Sequence, residues 1–163
     1  MNVYFAQDTL PNSSIFLAGP TPRRDTKIPS WRPEALRILG EALRFRGDVY
    51  VPEPANFKPF ESFDGDAQVA WEWTGISNAT VVAFWIPRDL QDMPGFTTNV
   101  EFGLLAATGK VVLGFPDGAP NTGYLKRLAE RFHVPVYTTL YDTLEAAVRK
   151  ASAPFGHCFS VVS

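Results

Sequence analysis

Short apolar runs, each closed by a turn residue and followed by a segment of helical length, constrain the fold of this chain more than any other feature. Ser14–Ala18 reads as a buried strand stopped by Gly19-Pro20, and Asp48–Val51 as another stopped by Pro52. Residues 79–86 (ATVVAFWI) form the strongest strand and end at Pro87; residues 110–115 and the shorter 134–137 complete the series. Helical segments are expected near 31–46, 67–78, 98–108, 121–132 and 142–152, the first carrying Pro33 where an early-turn proline is tolerated. Strands that are apolar throughout and alternate with helices predict an α/β fold: a five-stranded parallel sheet with helices on both faces and ligands beyond the carboxyl ends of the strands. Residues 1–6 are a candidate for an added edge strand. The proline-rich loops at 20–33 and 52–60 read as walls of a site.

Composition narrows the function. The 163 residues, 45% hydrophobic and 13% aromatic, suit one compact domain over 1–163. With 15 basic against 17 acidic residues the net charge is −2, which provides no basic field for a nucleic-acid backbone and points to a small partner, uncharged or singly anionic. Cys158 is the one cysteine, so no internal disulfide can form; His133 and His157 do not complete a metal-ligand spacing with it. Neither a leader peptide nor a membrane-spanning run is read, so the expected location is the cytoplasm.

Three groups of residues carry chemistry. Thr98-Asn99-Val100-Glu101 places a carboxylate in the first turn of a helix that follows a Pro/Gly-punctuated loop. There the helix dipole favours the ionised form, and an ionised carboxylate can attack a sugar carbon. The same four residues fit a capping box, in which Glu101 only ties off the helix start. Gly19-Pro20-Thr21-Pro22-Arg23-Arg24 follows the first apolar strand; its small and kinked residues let a ligand approach the backbone, and Arg23 and Arg24 either clamp an anion or pair with nearby acids in solvent. The loop is neither a Walker motif nor a dinucleotide fingerprint, which disfavours ATP-driven and hydride chemistry. Trp71-Glu72-Trp73 precedes the strongest strand: Glu72 is either a solvated helix position or a second carboxylate that holds sugar hydroxyls or manages protons. Asp89 and Asp92, on the loop before Glu101, are turn residues or donors to a departing base.

Taken together, residues 15–20, Glu72, the 79–86 strand, Asn99-Val100-Glu101-Phe102-Gly103 and Gly109-Lys110-Val111-Val112 resemble the nucleoside 2-deoxyribosyltransferase family, especially its bacterial 2-deoxyribosyltransferase-like branch. The resemblance implies a flavodoxin-like, Rossmann-like sheet of five strands and makes Glu101, in Glu101-Phe102-Gly103, the nucleophile. Two departures stand out: Glu72 occupies a position where better-known members carry aspartate, and Phe16 one where some carry a tyrosine that supports the nucleophile, leaving that support to another group such as Tyr4.

The implied mechanism is a double displacement. Glu101 attacks C1′ of a nucleoside or nucleotide while Asp92 or Asp89 helps the base leave, and a second base or water then releases the glycosyl ester. Trp31, Trp71, Trp73 and Phe96 are candidates to stack on the base, and Thr98 and Asn99 to line the site with Gly19 and Pro20. No cofactor or metal is implied. Readings as a transferase, as a nucleoside 5′-monophosphate N-glycosidase using Arg23 or Arg24 for the phosphate, and as a non-catalytic nucleotide sensor all remain open. The apolar tail 153–163, with the family's habit of closing one subunit's pocket with another's carboxyl end, predicts a homodimer or a multiple of it.

Overall fold

A computed structural model describes residues 1–5, 14–57 and 65–153. Its elements are β1 (Asn2–Phe5), β2 (Ser14–Ala18), α1 (Arg32–Arg37), β3 (Asp48–Val51), α2 (Gly65–Asn78), β4 (Val81–Trp85), α3 (Phe96–Leu105), β5 (Val111–Gly114), α4 (Gly123–Arg131), β6 (Val136–Tyr137) and α5 (Leu140–Ser152). The strands form one parallel sheet in the order β1-β3-β2-β4-β5-β6. Among the described residues the sheet therefore has six strands, not five: the candidate edge strand at the amino terminus pairs with β3, Val3 opposite Val49 and Phe5 opposite Val51. At the other edge β6 is shorter than expected. Pro135 has no N–H for a ladder, and only its carbonyl joins, accepting from Leu113 N at 3.1 Å.

The period of two along each strand sorts the core into two layers. Phe16, Ala18, Tyr50, Val82, Phe84 and Leu113 face α2, α3 and α4 and meet Trp71, Ile76, Phe102 and Leu125. Ile15, Leu17, Val49, Val51, Val81, Ala83 and Val112 face α1 and α5 and meet Trp31, Ala35, Leu39 and Leu144. Strands buried on both sides need no polar face, which is why β2 and β4 are buried along their whole length. Each fully buried Leu, Ile or Phe contributes roughly 1.5–3 kcal/mol.

Two helices depart from expectation. The 31–46 segment is α-helical only to Arg37; a π turn over Ile38–Ala42 follows, with Leu43 N bonded to Ile38 O at 2.9 Å, and left-handed Arg44 stops it. The helix carrying Glu101 begins at Phe96, earlier than the expected 98, and tightens into a 3-10 turn over Ala106–Thr108. Among the described residues no helix is long and apolar enough to cross a membrane. The tail after residue 153, and residues 58–60 of the second proline-rich loop, lie outside the described residues.

After β2 the chain moves to β3 on one side; from β4 it builds outward on the other. The crevice between the carboxyl ends of β2 and β4 is therefore the topological switch point, the place where an open parallel sheet leaves room for a ligand.

Candidate active site

The loop leaving β2 forms one wall of that crevice and is fixed from beneath. A Cβ on Gly19 would lie 2.1 Å from the Trp85 carbonyl oxygen and 2.9 Å from the Trp31 ring, so only glycine lets the two strand ends approach this closely. Trp31 Nε1 donates to the Pro20 carbonyl at 3.1 Å. Arg32, fully buried, donates to the carbonyls of Leu17 (3.2 Å) and Gly19 (2.8 Å), to Thr21 Oγ1 (3.1 Å) and to Glu53 Oε1 (2.6 Å), with its guanidinium 4.6 Å from the Trp31 ring centre. Burial lowers the Arg32 pKa, and the Glu53 carboxylate opposes that loss of charge.

A cavity of about 300 Å³ opens above this loop. Its floor is Phe16 and Ala18 of β2, its near wall Gly19, Pro20, Thr21, Arg23 and Arg32, and its far wall Pro94 through Thr98 at the start of α3; Pro52 closes one end. Two carboxylates enter it from different helices: Glu72 from α2 and Glu101 from α3. Burial raises the Glu101 pKa from 4.5 to about 7, the charge of Glu72 adds to the rise, and Arg32 opposes it. Burial also raises Glu72, against the hydrogen bond from Gln68 Nε2 to Glu72 Oε1 (2.8 Å) and the attraction of Arg32.

These observations correct the first-turn placement of Glu101. The cap of α3 is Gly95, in the left-handed conformation and with no side-chain cap bond, so Glu101 stands in the second turn and closes no capping box. Beyond the first turn the dipole is weak, and desolvation decides the direction of the shift, opposite to the one expected from the sequence. Thr98 is buried inside the helix's first turn and lines the cavity.

Of the other candidates, Gly19, Pro20, Arg23 and Phe96 line the cavity, Phe96 at its rim with 72% exposure. Arg24 lines only a smaller adjoining cavity. Asn99 points elsewhere: exposed, it accepts from Arg88, a buried side chain that also donates to the Asn121 carbonyl. Asp89 is a turn residue, its Oδ1 accepting from the backbone N–H of Gln91 and of Asp92 at 2.8 Å each. Asp92 supports the wall through its carbonyl, which accepts from Arg23 N at 2.9 Å; neither aspartate is among the residues lining the cavity. Trp71 is a core ring packed on Phe16 and Tyr50. Trp73, 65% exposed, lines an apolar groove between α2 and α3. Tyr4 packs edge-on against Tyr50, on the far side of β3 from the cavity.

Sequence reasoning missed Arg32, Glu53 and Gln68. One signal was present for Arg32: a cation in the first turn opposes the helix dipole and has to be held there by something else. Glu53 and Gln68 carry no such mark.

A family profile described as nucleoside 2-deoxyribosyltransferase like matches residues 12–119. No curated protein matches the chain. The matched stretch takes in β2 through β5, and with them the loop after β2, Glu72 on α2 and Glu101 on α3. On that match over most of its length, the chain belongs to the nucleoside 2-deoxyribosyltransferase-like family.

Proposed function

We propose that the protein cleaves or transfers the N-glycosidic bond of deoxynucleosides through a glycosyl ester on Glu101. The observation that carries this reading is the convergence of Glu101 and Glu72, from separate helices, on one cavity at the switch point of the sheet, with the Arg32 charge close enough to act on both. Glu101, ionised, displaces the base at C1′, and the departing nitrogen takes its proton from solvent, while the Glu72 carboxylate accepts hydrogen bonds from the sugar hydroxyls. Glu72, and not Asp89 or Asp92, is the second carboxylate in contact with substrate, because it lines the cavity. Two displacements at one carbon retain the anomeric configuration.

One observation favours a nucleoside 5′-monophosphate as substrate. The start of α3 opens into the cavity with no side-chain cap, and Arg23 lies on the opposite wall, so backbone N–H groups and a guanidinium face the same space. We also propose a homodimer. Trp73, Val100 and Leu104 are 64–73% exposed along α2 and α3, and Glu101 lines both the catalytic cavity and the groove between these helices. A second copy seated there completes the wall behind the nucleophile.

Incubation with deoxynucleosides and their 5′-monophosphates, with and without a free acceptor base, and separation of the products by chromatography tests the reading. New nucleosides identify transfer, sugar plus base identifies hydrolysis, and binding without product refutes catalysis in favour of a sensor.

A further inference from the structure

Arg88 stands just beyond the carboxyl end of β4 and is only 7% exposed, yet among the described residues no carboxylate lies within ion-pair distance of it. Its guanidinium meets neutral oxygens instead. It donates to Asn99 Oδ1 on α3 and, at 3.0 Å, to the Asn121 carbonyl just before α4, while Nε has no partner among the described residues. A buried cation held by neutral groups alone costs free energy, and burial lowers the Arg88 pKa with no acid opposing it. Stability therefore does not account for this residue, and a feature that costs stability is expected to serve the site.

The contact with α3 is what connects Arg88 to the site. That helix begins at Gly95 with no side-chain cap bond, its core anchor is Phe102, edge-on against Phe84, and its flank bearing Val100 and Leu104 is exposed. Among the described residues, the bond from Arg88 is the only hydrogen bond that ties a side chain of α3 to the rest of the fold. Apolar packing is non-directional, whereas a hydrogen bond from a planar guanidinium fixes an angle. Asn99 lies two residues before Glu101, so a turn of α3 about its axis that breaks this bond swings Glu101 with it. The second bond, to Asn121, whose backbone is left-handed at φ 55°, anchors the guanidinium to the start of α4.

We propose that Arg88 is a positioning residue: by gripping Asn99 it fixes the rotation of α3, and so the point at which Glu101 enters the catalytic cavity. Its effect on rate rests on the reading of Glu101 as nucleophile; its effect on the Glu101 carboxyl does not. Arg88 acts through the helix and not through its charge, because the charges that move the Glu101 titration are those of Glu72 and Arg32.

The test is the titration of the Glu101 carboxyl, followed by NMR on protein carrying isotope-labelled glutamate, beside kcat and KM for the deoxynucleoside or 5′-monophosphate that the wild type turns over. Arg88→Met removes both bonds at similar side-chain length. Released, Glu101 gains water, and its midpoint is expected to fall from about 7 toward 4.5. The kcat is expected to drop roughly 10- to 100-fold, as for a displacement near 1 Å, with KM within about twofold of wild type. Asn99→Ala, at an exposed position, is expected to reproduce both changes, and the double variant to exceed neither single one, since the two residues act as a unit. Asn99→Asp keeps the acceptor oxygen and is expected to leave the midpoint no lower than in wild type. A midpoint or a kcat unmoved in folded Arg88→Met, or effects of the two substitutions that add, overturns the inference. Should Arg88→Met fail to fold, Asn99→Ala and Asn99→Asp decide: a midpoint lowered in the first alone supports the inference, and any other result overturns it. Should the wild type turn nothing over, a midpoint that still falls in Arg88→Met keeps the grip on Glu101 and refutes the glycosyl reading; turnover with the midpoint unmoved does the reverse.

Discussion

Replacing Glu101 by glutamine separates a nucleophile held in an unfavourable place from a residue that merely stabilises its helix. In the folded protein the Glu101 carboxyl titrates at about 7 against 4.5 in the unfolded chain, because burial and the Glu72 charge outweigh Arg32. A folded-state pKa raised above the unfolded one means that the native state holds the proton more tightly. Stability is then full below about pH 4.5 and declines as pH rises through 7. At about 1.4 kcal/mol per pKa unit, that decline reaches roughly 3 kcal/mol. Glu101→Gln removes the charge and with it the decline. At pH 8 the variant is expected to be more stable than wild type by up to roughly 3 kcal/mol, a rise of several degrees in Tm for a chain of this size. At pH 4 the two should melt together. Turnover, which needs the carboxylate, should be lost at every pH. Scanning calorimetry at the two pH values, with rates on the same preparations, makes the measurement. A variant less stable than wild type at pH 8, or one that keeps its rate, would refute the reasoning and return Glu101 to a structural role.

The other predictions follow from the same geometry. Wild-type kcat/KM should rise through a limb near pH 7 as Glu101 ionises, and Glu72→Gln, by removing the charge that raises it, should move any residual activity's limb to lower pH in a pH-rate profile. Arg32→Met leaves the buried Glu53 carboxylate without its partner and should cost about 3–5 kcal/mol in a denaturant titration, while Arg37→Met, whose pairs with Glu34 and Glu41 are exposed and screened by solvent, should leave the midpoint nearly unchanged. Arg23→Ala should raise KM for a deoxynucleotide far more than for the matching deoxynucleoside, and Arg24→Ala, outside the main cavity, should not. Leu104→Glu should dissociate the proposed dimer in sedimentation and lower the rate, and a protein already monomeric at micromolar concentration would refute the interface.

Much of the fold was legible because it depends on local pattern. The apolar runs of β2, β3, β4 and β5 and the Pro or Gly that ends them are read from neighbouring residues, and they dictate a two-sided parallel sheet. The edge strand β1 was legible only as a candidate, since a half-buried four-residue run becomes a strand when β3 lies beside it to accept the ladder. The start of α3 was misplaced because Thr98-x-x-Glu101 satisfies a capping pattern that Gly95, left-handed and two residues after Met93, pre-empts.

The sequence by itself determined the sheet, the loop that needs Gly19 and the candidacy of Glu101, because each follows from residue types at fixed local spacing. Tertiary structure alone decided how the charges are arranged. Arg32 and Glu53 are far apart in the chain, yet β2 and β3 bring them together beneath the loop; Glu72 and Glu101 meet only because α2 and α3 lie on the same face of the sheet. Desolvation and the interaction of like charges depend on distance in space and exclusion of water, neither of which is written in local spacing. That is why the helix dipole, a local property, pointed to a depressed Glu101 pKa, and the folded chain raises it to about 7.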